Sequence, residues 1–367
     1  MSEYNIDLAA CRGRQQRLIE RMRQRGLEMV IVTQAENIQW LSGARFGRLF
    51  QAAAALAADG RLTLAAPSQP ELIAATDETV TYEAQWHSTL RNDQRQACME
   101  TLADSIGHAV QGTKLGVEAS SFGRNVDFKP AAIHDVEPDL YELRRCKDAD
   151  EVALIKKAIA ATGKMYERAR EIIKPGVTEL HVFNELQAAA VEELGEMLTG
   201  TGNDYQCGSP GGPPRGGREA AAGELYILDL GPAFRGYFAD NCRTVAVTEA
   251  TAGQQEAWQH VMQVFDHVEA NVRPGKRAKE LFEEAQVILD EAPLGVFNHH
   301  LGHGIGLFPH EAPHLNPFWD DTFQLGEVFT VEPGLYAPEL RAGMRIENNY
   351  RVTRNGVELL TPFPREL

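Results

Sequence analysis

The sequence has no apolar run approaching the ~20 residues that a membrane-spanning helix requires, so a helical membrane protein is not expected. Cysteine is sparse. Its five copies, at 11, 98, 146, 207 and 242, are odd in number, widely spaced and free of any C-x-x-C pair. That usage argues against a disulfide framework or a thiolate zinc site and fits free thiols in a reducing compartment. Positive charge is in deficit: 36 Lys and Arg stand against 52 Asp and Glu, a formal charge of −16. Phosphate binding needs a basic face, so nucleic acid is not an expected ligand. The opening residues M-S-E-Y-N-I-D show no basic patch, apolar stretch or small-residue cleavage site. No secretory signal is therefore expected, and a cytoplasmic location is.

What remains has the balance of a globular protein, with 43% apolar and 24% charged residues. A length of 367 residues exceeds one ordinary core, so two domains are expected. In the first half, 13–26 reads as a basic amphipathic helix with Leu18, Ile19 and Met22 on one side. An apolar strand follows at Met29–Val32, and Asp59-Gly60 marks a hairpin turn. Further strands are predicted at Val80–Tyr82 and Leu115–Val117, with a helix near 91–106. Alternating strands and helices point to a small α/β domain, and the charged stretch Y-E-L-R-R-C-K-D-A-D at 141–150 reads as a linker.

Beyond it, Val152, Ile155, Ile159, Met165, Ala169 and Ile172 recur at helical spacing, and Pro175-Gly176 stops that helix. Thr178 is a good N-cap for the next helix, which runs to about Gly195. Residues 199–223 read as a Gly/Pro-rich loop. From Glu224 onward the pattern is mainly β, with helices at about 251–270 and 277–291.

The second half also places acids and histidines where a plain core would not want them. Asp229 ends an apolar strand, and Asp240 follows eleven residues on. A turn at Arg235-Gly236 would fold this segment into a hairpin and bring both carboxylates to one region. Each aspartate alone reads as a turn or cap residue sooner than as a ligand, but a buried carboxylate is costly unless paired or metal-bound. The segment N-H-H-L-G-H-G-I-G-L-F-P-H-E-A-P then carries His299, His300, His303 and His310, four of the eleven histidines within twelve residues. Such clusters point to metal or acid–base chemistry, the bland alternative being a polar loop with satisfied imidazoles. Glu332 ends another apolar strand ahead of Pro333-Gly334, and Ile346 separates Arg345 from Glu347. That spacing puts both charges on the same strand face, and alone they would read as a surface pair.

Taken together, D-(10 residues)-D, G-H-G-x-G, H-E-x-P, E-P-G-x-Y and R-x-E occur here in the order of the pita-bread metallopeptidase family. The chain resembles that family, which includes methionine aminopeptidase, Xaa-Pro aminopeptidase, prolidase and creatinase-like amidinohydrolases. The first half, with E-N-I-Q-W-L-S-G at 36–43, is similar to the creatinase-type N-terminal domain. The resemblance implies an α/β (α+β) protein, with an N-terminal domain over 1–145 and a pita-bread catalytic domain over 146–367. It implies that Asp229 binds one metal, that Asp240 and Glu347 bridge two, and that His303 with Glu332 completes the second. Four carboxylates and one imidazole suit Mn²⁺ first, with Co²⁺, Zn²⁺ or Fe²⁺ as alternatives. Glu332 would also pass a proton, His299 and His310 would orient substrate and stabilise the oxyanion, and Arg345 would hold a ligand carboxylate. His300 matches no role that the resemblance supplies. A homodimer is implied, with the N-terminal domain of one subunit rimming its partner's site.

Two features depart from or extend this pattern. The family's peptidases carry a histidine in the loop before the first aspartate, where Gly212 stands here, seventeen residues upstream of Asp229. Arg215 or Arg218 would then substitute, or the reaction does without that donor. In addition, R-F-G-R at 45–48 is similar to the creatinase-like element that presents an arginine to the partner's site, so Arg48 would grip a substrate carboxylate, the alternative being a plain surface arginine after a loop. The expected function is amide hydrolysis at a dinuclear metal centre, with Xaa-Pro peptides or dipeptides as first substrates. A small ectoine- or creatine-like amide is the alternative substrate, and a non-catalytic binding protein the alternative class.

Overall fold

The computed structural model describes residues 5–68, 72–122 and 128–367. They form two compact units that divide between Arg144 and Arg145. In the first, α1 (Leu8–Arg25) starts five residues before the predicted 13. The cause is Asp7, whose Oδ1 accepts from the Ala9 amide at 2.7 Å and so satisfies a free N-terminal donor. Its buried stripe includes the expected Leu18, Ile19 and Met22. After β1 (Met29–Val32), the stretch 36–43 folds as a helix that periodicity had not flagged, α2 (Ala35–Ser42). Next, β2 (Ala53–Ala57) and β3 (Leu62–Pro67) form the hairpin expected at Asp59-Gly60.

β4 (Glu78–Tyr82), the small ribbon β5 (Gln85–Trp86) and β6 (Thr89–Leu90), α3 (Gln94–Val110), β7 (Lys114–Val117) and β8 (Ala132–Asp135) complete the pattern. The sheet order is β4-β3-β2-β1-β7-β8. Strands β1, β7 and β8 run parallel, and β1 pairs antiparallel with β2. Most of the expected linker proves to be helix, α4 (Glu137–Arg145), so only residues 146–148 separate it from the next helix.

The second unit opens with α5 (Ala149–Ile172), whose start is fixed where the Asp148 amide donates to Glu151 Oε2 at 2.9 Å. In α6 (Glu179–Leu194), Thr178 Oγ1 accepts from the His181 amide at 3.2 Å, the cap that the sequence predicts. Within the expected 199–223 loop lies a strand, β9 (Asp204–Cys207). It pairs with β10 (Leu225–Asp229), and after the short strands β11 (Ala233–Phe234) and β12 (Tyr237–Phe238), β13 (Cys242–Ala246) pairs on the other side of β10.

Helices α7 (Ala252–Asn271) and α8 (Ala278–Asp290) cover the core. Val261, Val264, Phe265 and Val268 of α7 and Leu281, Ala285 and Leu289 of α8 are fully or almost fully buried there. Burying each of the larger side chains contributes roughly 1.5–3 kcal/mol, which is what holds the helices on the core. The remaining strands are β14 (Gly302–Gly304), β15 (Glu311–Leu315), β16 (Val328–Val331), β17 (Gly334–Leu335), β18 (Met344–Arg345), β19 (Asn348–Val352) and β20 (Val357–Leu359). Five of them form the antiparallel sheet β15-β14-β16-β19-β20. Among the described residues, no helix is long and apolar enough to cross a membrane.

Candidate metal centre

The two aspartates meet because of strand register. Arg235 and Gly236 have φ of 50° and 90° between β11 and β12, the left-handed pair that a two-residue hairpin needs. β10 then pairs with β13 so that Asp229 lies opposite Cys242, two residues after Asp240. Glu347 is tied to the same edge, its amide donating to Cys242 O at 2.8 Å and its carbonyl accepting from Asn241 Nδ2 at 2.6 Å. Carboxylate oxygens of Asp229, Asp240 and Glu347 lie within 4.8 Å of one another.

His303 arrives from the other sheet. β14 runs so close to its neighbours that a Cβ at Gly302 would come 2.1 Å from Thr330 O, and one at Gly304 would come 2.1 Å from Ala312 O. The glycines of G-H-G are thus a packing requirement. His303 Nδ1 faces the Gly304 carbonyl at 3.0 Å, and since a carbonyl only accepts, that nitrogen carries the proton. The lone pair on Nε2 is left to face Asp240 Oδ2 at 3.6 Å and Glu332 Oε1 at 3.5 Å, the tautomer a metal ligand needs. His310 stacks on His303 with ring centroids 3.7 Å apart. Its loop is held by Glu311, which pairs with the buried Lys147 Nζ at 2.8 Å and accepts from the Phe308 amide at 3.2 Å.

Electrostatics fit the same reading. Burial pushes the Asp240 carboxyl well above its usual range, with Asp229 and Glu332 adding repulsion. Burial does the same to Glu347, with Asp240 next in effect. Asp229 is also raised by burial, although Arg345 opposes the rise. Glu332 departs from the others: burial would raise it, but His300, His303 and Arg345 outweigh that and bring it down to about 2. Burial lowers His303 to about 3 and His299 to about 4, and it lowers His310 as well.

Two fully buried oxygens, Asp229 Oδ1 and Glu347 Oε1, have no hydrogen-bond partner. A buried polar atom without a partner costs about 1–3 kcal/mol, and more when charged. These orphaned oxygens, the crowded carboxylates and the free His303 Nε2 together fit divalent cations held mainly by oxygen.

All five expected ligands and His299, His310 and Arg345 line one cavity of about 780 Å³. Three further residues there are ones that the sequence did not single out by role: Asp204, Tyr336 and His300. Arg345 Nη2 pairs with Asp204 and, at 2.7 Å, with Asp229 Oδ2, while Nη1 donates to Tyr336 Oη at 3.2 Å. Asp204 lies opposite Asp229 in the β9–β10 register, a signal hidden once 199–223 is read as loop.

His299 has both ring nitrogens engaged, Nδ1 with His300 O at 2.7 Å and Nε2 with Tyr336 Oη at 3.0 Å. The loop substitutes for the missing histidine are not at the cavity. Arg215 pairs with Glu179 at 2.6 Å, Arg218 pairs with Glu224, and neither arginine nor Gly212 lines the cavity. Asn203, Asp204 and Pro210 form that wall instead. Arg48 lies exposed in a turn of the first unit, closed where the Phe50 amide donates to Gly47 O at 2.9 Å.

The class defined by this fold and site is a mixed α/β protein with a creatinase-type N-terminal domain and a pita-bread catalytic domain. A metallopeptidase family M24 profile matches residues 153–354, and a creatinase/prolidase N-terminal domain profile matches residues 14–146. The chain belongs to metallopeptidase family M24. It is 33% identical over 236 residues to an uncharacterized peptidase of Staphylococcus epidermidis, a match covering 63% of this chain and 66% of that relative, just under two thirds of it. It is 29% identical to an Xaa-Pro dipeptidase of Pyrococcus horikoshii across 96% of this chain and 97% of the relative. The crystal structure of the prolidase from P. horikoshii superposes with a TM-score of 0.77 at 25% identity, covering 97% of this chain and 99% of the other.

Proposed function

We propose that the chain is a dinuclear-metal hydrolase that removes the N-terminal residue from Xaa-Pro peptides or dipeptides. The observation that carries this reading is the pair of buried, partnerless oxygens, Asp229 Oδ1 and Glu347 Oε1, in the cavity that also holds Asp240, His303 and Glu332. Likeness to the P. horikoshii Xaa-Pro dipeptidase along almost the whole chain supports the substrate class.

Asp229 would hold one ion, Asp240 and Glu347 both, and His303 with Glu332 the second. When bound, two divalent ions acidify a shared water and polarise the substrate carbonyl. The rest falls to the chain. Glu332 accepts a proton from the attacking water as the new C–O bond forms, then delivers it to the departing nitrogen as the tetrahedral intermediate collapses and the C–N bond breaks. His310 faces the cavity beside His303 and donates to the oxyanion as the carbonyl becomes tetrahedral. Arg345, gripped by Asp204 and Tyr336, holds Asp229 in place. Mn²⁺ is the first ion to supply, with Co²⁺, Zn²⁺ and Fe²⁺ as alternatives.

One observation favours a second substrate reading. The cavity wall at Asn203 and Pro210 offers no imidazole, which suits a small amide of ectoine- or creatine-like type that needs no imidazole there. A purely binding protein would have no reason to keep four costly carboxylates together. The test is hydrolysis of Ala-Pro and Ala-Pro-Ala with added Mn²⁺, repeated after EDTA. Alanine release that EDTA abolishes is expected. Two bound metals per chain with no cleavage of either peptide would transfer the assignment to the small amide.

A further inference from the structure

The two adjacent histidines on the cavity wall behave differently. Both ring nitrogens of His299 are engaged, with Tyr336 Oη and the His300 carbonyl. His300 instead aims Nε2 at Glu332, 2.9 Å from Oε1, its side chain 30% exposed to the cavity. That oxygen is the one that also faces His303 Nε2, at 3.5 Å. The other, Oε2, lies 3.8 Å from Arg345 Nε, beyond hydrogen-bond reach. Of the three groups around the Glu332 carboxylate, only His300 is therefore close enough to fix its rotation. Glu332 has three side-chain torsions, and its backbone is anchored where its amide donates to Leu301 O at 2.8 Å. The anchor holds the stem, while His300 holds the head.

We propose that His300 is a positioning residue that holds Glu332 Oε1 toward His303, so that the second metal site is assembled before a metal arrives. The inference rests on the dinuclear-centre reading above and concerns a residue with no role in it. The geometry also explains why an unassigned imidazole sits among the ligands: its ring lies 5.3 Å from that of His303 and 5.5 Å from that of His310. Partners that orient a metal ligand from behind typically contribute about 10–100-fold to metal affinity.

The experiment compares wild type, His300→Leu and His300→Gln by calorimetric titration of the metal-free proteins with Mn²⁺, with thermal melting in EDTA to check folding. Leu keeps bulk and cannot donate; Gln restores a donor. For the Leu variant we expect one of the two Mn²⁺ affinities to fall about tenfold or more, with a cooperative melt in EDTA showing that the fold is kept. Gln should recover most of the loss. On a cleaved substrate, kcat should fall in the Leu variant while KM holds. Unchanged Mn²⁺ affinity in the Leu variant overturns the proposal, as does a loss that Gln fails to restore. A change confined to KM would instead make His300 a substrate contact and overturns it too. The titration needs no substrate, so it fails separately from the Xaa-Pro reading. Wild type that binds no Mn²⁺ would sink the metal reading itself.

Discussion

Burial and neighbouring carboxylates raise the Asp240 and Glu347 carboxyls well above their ordinary range, so both bind protons more readily in the metal-free fold than in water. Unfolding releases these groups to water and to ordinary pKa values near 4. Between the two sets of values, the folded metal-free chain binds more protons than the unfolded one, so its stability falls as pH rises. A divalent ion replaces the protons and reverses the repulsion. The melting temperature in EDTA is therefore expected to drop between pH 7 and pH 9, above the range near 6.5 in which the unfolded chain's imidazoles titrate, and the rise on adding Mn²⁺ should be larger at pH 9. Asp240→Ala should flatten the EDTA profile and remove the Mn²⁺ response together. A metal-free protein equally stable at both pH values would mean that these carboxylates are not crowded as described.

At the scale of elements, the segment 211–218 is shaped around its neighbours rather than toward the cavity. Gly212 has φ of 126° and donates its amide to Asp204 Oδ1 at 2.8 Å, while its carbonyl accepts from the Tyr205 amide at 2.8 Å. A Cβ at 212 would meet Gln206 Nε2 at 2.8 Å. Gly212→His is thus expected to lower stability by about 1–3 kcal/mol through backbone strain, with no gain in peptidase rate. A rate gain at unchanged melting temperature would show that the loop can turn inward.

The same stretch marks where the sequence was hard to read. Asp229, Asp240, His303, Glu332 and Glu347 were legible because their motifs occur in the order of the family that the sequence resembles, and the structure gathers all five in one cavity. The hairpin at Arg235-Gly236 and the cap at Thr178 were legible for local reasons. Asp204 was not, because β9 is four residues long and flanked by glycine, so its pairing with β10 depends on a partner about twenty residues away. α2 was missed since its apolar residues cluster rather than recur. His300 gave no signal beyond its neighbours, and only the distance to Glu332 separates it from His299.

For the molecule as a whole, what remains to be placed is the group that holds a substrate's far end. Among the cavity's lining residues the sole arginine is Arg345, already taken by Asp204, Asp229 and Tyr336. A dipeptide such as Ala-Pro carries its carboxylate one residue from the bond to be cut, and an arginine is well suited to pair with it. Arg48 of the first unit is exposed, and the family resemblance implies a homodimer in which such an arginine serves the partner's site. Light scattering should then give twice the 40.6 kDa mass of the chain. Arg48→Ala should raise KM for Ala-Pro about tenfold or more, as expected for losing a charge-assisted pair of about 1.5–3 kcal/mol, with metal content unchanged. Mixing decides the geometry. In a heterodimer of Arg48→Ala with Asp240→Ala, one subunit keeps its metal ligands and the other keeps Arg48. If Arg48 acts across the dimer, one of the two sites is complete, and Ala-Pro cleavage at low substrate should return toward half the wild-type rate. If it acts within its own chain, neither site is complete and mixing restores nothing. Unaltered KM in the single variant would remove Arg48 from substrate binding and turn the search for the carboxylate's partner to His310 and the side-chain amides of Asn203 and Asn298 on the cavity wall.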